Sequence, residues 1–178
     1  ECSYFEIDPA YDISIGDLAK KISSYSDISK NITVPRSGKG FDRALYATYL
    51  SYLQPKGFSY NLKSYDDDRG RFVEMLKTID SGQISFFTAN PGVMRGDHYH
   101  HTKNEQFFVI QGTALFKFKN IRTNDYFEKV VDSGNPEIIQ TVPGWNHDIT
   151  NIGENELIVM LWANEVFDSE NPDTIKLS

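Results

Sequence analysis

The stretch Gly92-Val-Met-Arg-Gly-Asp-His98-Tyr-His100-His101-Thr-Lys-Asn-Glu105-Gln-Phe-Phe-Val-Ile-Gln-Gly112 decides the fold and holds three of the chain's four histidines. His98 and His100 are two residues apart, so on a strand both side chains leave the same face. Glu105 follows a short polar turn, from which a returning strand can point its carboxylate back at the two imidazoles. Such a set of side chains suits a divalent ion such as zinc, iron, manganese or nickel.

The remaining histidine, His147, lies in the segment Pro143-Gly-Trp-Asn-His147 and is the candidate for a fourth ligand. Together the two stretches resemble the two motifs of the cupin superfamily, which are small antiparallel β-barrels that hold a metal inside. The second motif has one residue fewer than usual between its proline and its glycine. The resemblance implies four metal ligands, His98, His100, Glu105 and His147, and the imidazole-rich set favours zinc. The alternative is that these histidines are merely packed or exposed on barrel strands.

The composition limits the partners and the location of the chain. A length of 178 residues suits one domain with a sizeable core plus some extra structure. The net charge of −7 argues against nucleic acid or an anionic membrane as a partner. Cys2 is the single cysteine, which excludes an internal disulfide and favours a reducing, cytoplasmic location.

Residues 1–57 predict a helical segment. The sequence Ser14-Ile-Gly-Asp17 resembles a capping box in front of apolar positions at helical spacing. A second helix is expected from Phe41 to Leu53, before the stop signals Pro55 and Gly57. Two helices joined by a loop make a poor independent core, so we expect them to pack on something else.

From Phe58 onward the apolar period changes to two. Seven segments suit short strands: 72–77, 84–88, 107–110, 114–119, 126–131, 138–142 and 157–162. Many short strands with regular turns indicate a sandwich or barrel. The predicted fold is therefore mainly β, with a jelly-roll-type cupin barrel over residues 58–178 after the helical segment. Because exposed barrel edges require cover, we also predict a homodimer formed through barrel strands.

Two further segments, Asp68-Arg-Gly-Arg-Phe-Val-Glu74 and Gly92-Val-Met-Arg-Gly-Asp-His-Tyr99, resemble the deoxysugar-nucleotide epimerases of the rhamnose pathway. Those enzymes are themselves cupins. The resemblance assigns Arg69, Phe72 and Glu74 to nucleotide binding and Arg95 to the substrate pocket. Trp145 is a further substrate-binding candidate. A guanidinium suits a pyrophosphate and an aromatic ring suits a base. Alternatively, Arg69 is a surface turn residue paired with Asp67 or Asp68.

His98 receives two incompatible roles. It is the catalytic base in the epimerase comparison and a metal ligand in the cupin comparison, and one lone pair cannot serve both. The complete ligand set favours metal, so the candidates for the base become His101, Tyr99, Lys103 and Asp148. On a regular strand His101 points away from His98, which leaves a solvated histidine as the alternative.

A resemblance over the whole chain is carried by five segments: 34–53, 98–105, 142–151, 162–168 and 171–174. They are similar to the bifunctional capsule and O-antigen enzymes that make the precursor of N-acetyl-L-fucosamine. That family joins an NADPH-dependent short-chain reductase to a C-terminal cupin that epimerises C3. Residues 1–57 resemble the end of the reductase domain. No glycine-rich dinucleotide motif follows a predicted strand, so we expect a fragment without the NADPH site.

The resemblance implies C3 epimerisation of a UDP-2-acetamido-2,6-dideoxy-4-hexulose, on the route to UDP-N-acetyl-L-fucosamine. This reaction removes and returns a proton beside the 4-keto group, and the metal either polarises that carbonyl or only ties strands together. Two alternatives stay open. The barrel is a non-catalytic, metal-stabilised module for dimerisation and sugar-nucleotide binding, or it is another metal cupin, a sugar isomerase or oxygenase.

Overall fold

The computed structural model of the chain describes residues 8–177. The chain divides into two compact units, Glu1–Tyr60 and Asn61–Ser178. Cys2, on which the disulfide and compartment predictions depend, lies outside the described residues. Within residues 8–177 every helix is too short or too polar to cross a membrane.

The first unit contains both predicted helices. Its elements are α1 (Ile15–Tyr25), α2 (Ile28–Asn31), β1 (Thr33–Val34), α3 (Gly40–Ser51) and a 3-10 turn (Pro55–Gly57). Ser14 caps α1, because its Oγ accepts a hydrogen bond from the Asp17 backbone N–H at 3.1 Å. The Asp17 carboxylate accepts from the Ser14 hydroxyl at 2.8 Å, whereas a capping box would direct it to the backbone N–H of the cap residue.

An aromatic cluster joins α1 to α3. The ring of Tyr25, at the end of α1, lies 5.1 Å from the ring of Tyr46 and 5.3 Å from that of Tyr49. Lys21 and Asp42 add an ion pair at 2.5 Å between the same helices. Among the described residues of this unit, the buried apolar side chains are those of Tyr25 and Ile28. The unit therefore has the small core that two helices can provide.

The second unit is built from strands. They are β2 (Ser64–Asp67), β3 (Gly70–Thr78), β4 (Gln83–Ala89), β5 (Met94–Tyr99), β6 (Glu105–Gln111), β7 (Thr113–Asn120), β8 (Tyr126–Asp132), β9 (Ile138–Gln140), β10 (Trp145–Asn151), β11 (Leu157–Ala163) and β12 (Ile175–Lys176). Each predicted strand is present, although the one expected over 138–142 ends at Gln140, before the turn at Pro143. The mainly β prediction is confirmed.

The strands of this unit form two antiparallel sheets. One has the order β2-β3-β4-β11-β6-β9 and the other the order β12-β5-β10-β7-β8. Alternate residues of β7 and β11 point inward and form much of the core: Ala114, Phe116, Phe118, Leu157, Val159 and Leu161. His147 lies against this core, with its ring 6.0 Å from Phe118 and 6.1 Å from Phe107. The aromatic side chains thus shield one side of the histidine cluster from water.

Candidate metal centre

The four predicted metal ligands form one cluster. His98 lies on β5, His100 directly after it, Glu105 at the start of β6 and His147 on β10. The pairing of β5 with β10 places His98 opposite His147. One ligand atom from each residue lies within 4.8 Å of the others, and His98 is the least buried of the four. Strand pairing therefore assembles residues that are up to 49 positions apart in sequence (147 − 98).

The distances within the cluster fit a metal ion. Glu105 Oε2 lies 3.2 Å from His100 Nε2 and 3.6 Å from His147 Nε2. Ligands at about 2.0–2.1 Å from a tetrahedral ion are about 3.4 Å from each other, so both separations agree with ligation. The buried His147 Nε2 has no hydrogen-bond partner among the described residues, since 3.6 Å is too long for a hydrogen bond. An ion would satisfy this nitrogen.

The charge state of the cluster also suits a cation. Burial by itself raises the pKa of Glu105, but His100, His147 and Lys103 together hold it well below its usual range. Burial, with the neighbouring His147 and His100, lowers the pKa of His98 to about 4. At neutral pH, Glu105 is therefore a carboxylate and His98 a neutral imidazole, which are the forms that bind metal.

Lys103 is next to the cluster but is directed at one carboxylate oxygen. Its Nζ lies 3.0 Å from Glu105 Oε1, and the residue is 9% exposed. The ammonium thus occupies one oxygen of Glu105 and leaves Oε2 to face the histidines. This places Lys103, a predicted candidate for the base, in an ion pair with a candidate ligand, Glu105.

A backbone carbonyl determines the tautomer of His100. The His100 Nδ1 contacts the carbonyl oxygen of Asp173. A carbonyl can only accept a hydrogen bond, so Nδ1 carries the proton and donates it. Nε2 then faces Glu105 with its lone pair available to an ion.

A bulge brings Arg95 to the same side as His98. His147 pairs with His98, while Asp148 pairs with Gly96, so Asp97 is an extra residue on β5, with φ of 64°. On a regular strand, residues 95 and 98 would face opposite sides. With the bulge, Arg95 and His98 line one cavity of about 150 Å³ together with Phe72, Phe87, Gly96, Glu105, Phe107, His147, Ile149 and Leu161.

His101, the first candidate for the base, lies elsewhere. Its ring stacks edge-on against Tyr99, with 5.4 Å between ring centres. His101 lines a separate groove of about 390 Å³ with Arg122, Pro143 and Gly144. Trp145 lines another groove, of about 290 Å³, which is mostly apolar. The structure therefore brings neither His101 nor Trp145 to the cavity that contains His98.

The predicted nucleotide-binding residues are also divided. Phe72 lines the cavity beside Arg95. Arg69 is exposed and donates from Nε and an Nη to Asp67, at 3.0 and 2.5 Å, which is the turn pairing considered as its alternative. Glu74 forms an ion pair with Lys77 at 3.1 Å. Within residues 8–177, Arg69 and Glu74 are outside the lining of this cavity.

Asp173 is a residue near the centre that sequence reasoning missed. Its carboxylate accepts hydrogen bonds from the backbone N–H groups of the turn His101–Lys103. These contacts span about 70 residues of sequence. The signal in the sequence was the turn-forming Asn171-Pro172 pair, which announces a loop but not its partner.

The comparison with known families decides the classification. Residues 65–175 match the family described as Polysaccharide biosynthesis C-terminal domain. The chain belongs to this family. The match covers every strand from β3 to β11, and therefore the four clustered residues.

Known proteins resemble this chain in sequence and in fold. A Pseudomonas aeruginosa protein, UDP-2-acetamido-2,6-beta-L-arabino-hexul-4-ose reductase, is 55% identical over 97% of this chain and 46% of its own length. The crystal structure of the capsular polysaccharide assembling protein CapF from Staphylococcus aureus has a TM-score of 0.91 at 35% identity, over 96% of this chain and 46% of CapF. Lactobacillus farciminis oxalate decarboxylase shares only the fold, with a TM-score of 0.53 at 21% identity, over 65% of this chain and 33% of the decarboxylase.

These matches confirm the predicted cupin fold and the predicted family, that of the capsule and O-antigen biosynthesis enzymes. They also show that the chain spans less than half of the length of the Pseudomonas and Staphylococcus proteins. Activities and partners of the complete proteins are therefore not assigned to this chain by the matches alone.

We expect the purified family member to retain about one equivalent of a divalent transition metal, with zinc as the proposed ion. Combining Glu105→Ala with His147→Ala should reduce the content to a small fraction of one equivalent, because two of the three buried candidate donors are removed. Elemental analysis of protein prepared without added metal checks this. His101→Ala is the matched control and should keep the wild-type content. Full metal content in the double variant would disprove the ligand assignment.

Proposed function

We propose that the second unit epimerises C3 of a UDP-2-acetamido-2,6-dideoxy-4-hexulose, on the route to UDP-N-acetyl-L-fucosamine. The observation that carries the proposal is a cavity in which His98 and the guanidinium-bearing Arg95 lie together. The substrate class comes from the Pseudomonas aeruginosa relative, whose name specifies a UDP-linked 4-keto sugar. We assign any reduction, with its NADPH, to the part of such proteins that this chain does not match.

The reaction needs a base and a site for negative charge. Removing the C3 proton beside the 4-keto group moves its electron pair into an enolate, with the charge on the C4 oxygen. Returning a proton from solvent water to the opposite face of C3 inverts that centre, so the sum of the steps is an isomerisation without a redox change. A cavity shielded by Phe72, Phe87 and Phe107 strengthens the electrostatic interactions inside it.

Arg95 is held in a position to stabilise that charge. Its Nε donates to the Thr88 carbonyl at 3.0 Å and an Nη donates to the Arg71 carbonyl at 3.3 Å. The guanidinium carbon lies 5.4 Å from the centre of the Phe87 ring. Only 12% of the side chain is exposed. A preorganised cation needs little rearrangement as an enolate or a phosphate approaches.

His98 is the histidine of the cluster that we place nearest to substrate, because it is the least buried of the four and lines the cavity. A free imidazole nitrogen there accepts the C3 proton. His100, Glu105 and His147, with or without His98, would hold a divalent ion, which when bound would supply Lewis acidity beside the 4-keto group. One nitrogen of His98 cannot be ligand and base at once, and the metal content of His98→Ala separates the two roles.

The size of the cavity favours a second candidate function. A volume of about 150 Å³ is below the roughly 300 Å³ at which ligand pockets usually begin. In this alternative the metal only ties strands together, and the barrel serves as a binding and assembly module for an enzyme encoded beyond these residues. Such a module would bind UDP-linked sugars but leave their protons in place.

The test is proton NMR of the UDP-linked 4-keto sugar in deuterated buffer, with the protein and without NADPH. We expect the C3 proton signal to disappear at a rate proportional to protein concentration. The C5 proton is the internal control, because it flanks the same ketone and spontaneous enolisation would exchange it too. No C3 exchange by folded, metal-loaded protein would overturn the epimerase proposal. Retained UDP binding in that case would favour the module.

A further inference from the structure

The segment after β11 crosses back to the metal centre. It returns as β12, which pairs with β5 so that Ile175 lies opposite Tyr99 and Lys176 opposite His98. Asp173 precedes β12 and lies over the turn between His100 and Glu105. A C-terminal strap, residues 168–176, therefore pairs with the end of the strand that carries His98 and contacts the turn that follows it.

The Asp173 carboxylate binds the three consecutive backbone N–H groups of the turn His101–Lys103. Oδ1 accepts from the His101 N–H at 2.9 Å. Oδ2 accepts from the Thr102 N–H at 2.7 Å, the Lys103 N–H at 2.8 Å and the Thr102 hydroxyl at 2.9 Å. A carboxylate with four donors is a strong, charge-assisted anchor, and few other side chains can replace it.

The same residue contacts a candidate ligand directly. The Asp173 carbonyl oxygen accepts from His100 Nδ1, which turns Nε2 toward Glu105. The carboxylate and the carbonyl of one residue thus hold both the turn between two ligands and the ring of one of them.

We infer that Asp173 is a positioning residue for the metal centre, which orients His100 and spaces it from Glu105. This inference rests on the metal role assigned under the proposed function. Partners of this kind, beyond the ligands themselves, typically change metal affinity about 10- to 100-fold when they are lost. Removing the carboxylate leaves three backbone donors of the turn without their acceptor, so the turn relaxes and His100 loses its orientation.

The experiment compares Asp173→Ala, Asp173→Asn and a control, Asp168→Ala. Asp168 lies on the same strap, and its carboxylate accepts from the Glu170 N–H at 2.9 Å and from the Asn171 side chain at 3.4 Å. These contacts stay within the strap and do not involve the turn His101–Lys103. Zinc affinity is measured by competition with a chromogenic chelator. Cobalt-substituted protein reports the coordination geometry through its visible absorption. Circular dichroism establishes that each variant is folded before metal is added.

We expect Asp173→Ala to weaken zinc binding by about 10- to 100-fold and to change the cobalt spectrum. Asp173→Asn should give a smaller loss, because the amide oxygen can still accept from part of the turn. Asp168→Ala should match wild type in both measurements. If Asp173→Ala does not fold, the loss in Asp173→Asn decides the matter.

Wild-type affinity and spectrum in the folded Asp173 variants would overturn this inference and leave the metal centre standing. An equal loss in Asp168→Ala would also overturn it, since the effect would then belong to the strap and not to Asp173. No zinc binding by the wild type would overturn the metal centre and this inference together. These outcomes are distinct from the proton-exchange result.

Discussion

His98→Ala is expected to slow C3 proton exchange by about 100-fold or more, whereas His101→Ala should change it by no more than about threefold. The two histidines are three positions apart, and the same substitution is made at each. His98 lines the cavity with Arg95, while His101 lies in a different groove against Tyr99. Position, and not residue type, therefore accounts for the expected difference.

The metal content of His98→Ala assigns its role. A folded variant that keeps its metal but loses exchange identifies His98 as the base. Loss of both identifies it as a ligand whose ion the reaction needs. Exchange at the wild-type rate in His98→Ala, or a loss confined to His101→Ala, would contradict the placement of the active site in this cavity.

The second large effect concerns stability. Gly82→Ala is expected to reduce the free energy of unfolding by more than about 4 kcal/mol, a large share of the roughly 5–15 kcal/mol that holds a domain folded. Gly82 has φ of 73°, and an added Cβ would be 1.7 Å from the Ala163 carbonyl oxygen and 2.6 Å from the Asn164 carbonyl carbon. Both atoms belong to the backbone and cannot move aside without disturbing the end of β11.

Gly92→Ala separates this clash from backbone strain. Gly92 has nearly the same φ, 76°, but an added Cβ would meet nothing within 4 Å. Gly92→Ala should reduce the free energy of unfolding by about 1–2 kcal/mol, the usual strain of a left-handed residue that bears a side chain. Urea denaturation of both variants measures the two losses. Equal losses would show that the close approach at Gly82 relaxes at no cost.

Much of the architecture could be predicted from local patterns. Alternating apolar residues predicted the strands because a strand sends alternate side chains to opposite sides, whatever its neighbours are. The spacing of His98, His100 and Glu105 predicted a common cluster for a similar reason, since a turn between two strands returns the chain to the same face. The fourth member, His147, was a candidate because it is the remaining histidine, and the resemblance to a known motif supported it.

Other features of the site depend on contacts between distant segments. The role proposed for Asp173 arises from hydrogen bonds across about 70 residues of sequence, and no local period carries that information. Arg69 illustrates the reverse case. Its motif predicts nucleotide binding, which stays a prediction, and its side chain pairs with Asp67, two residues away.

By itself, the sequence determined which side chains are available and which strands carry them. The tertiary structure alone decided which of them share the cavity. The extra residue Asp97 on β5 breaks the alternation, so Arg95 joins His98 although three positions separate them. His101 follows the unbroken part of the pattern and faces away from His98. A bulge depends on how two paired strands fit together, and the sequence of one strand does not specify that fit.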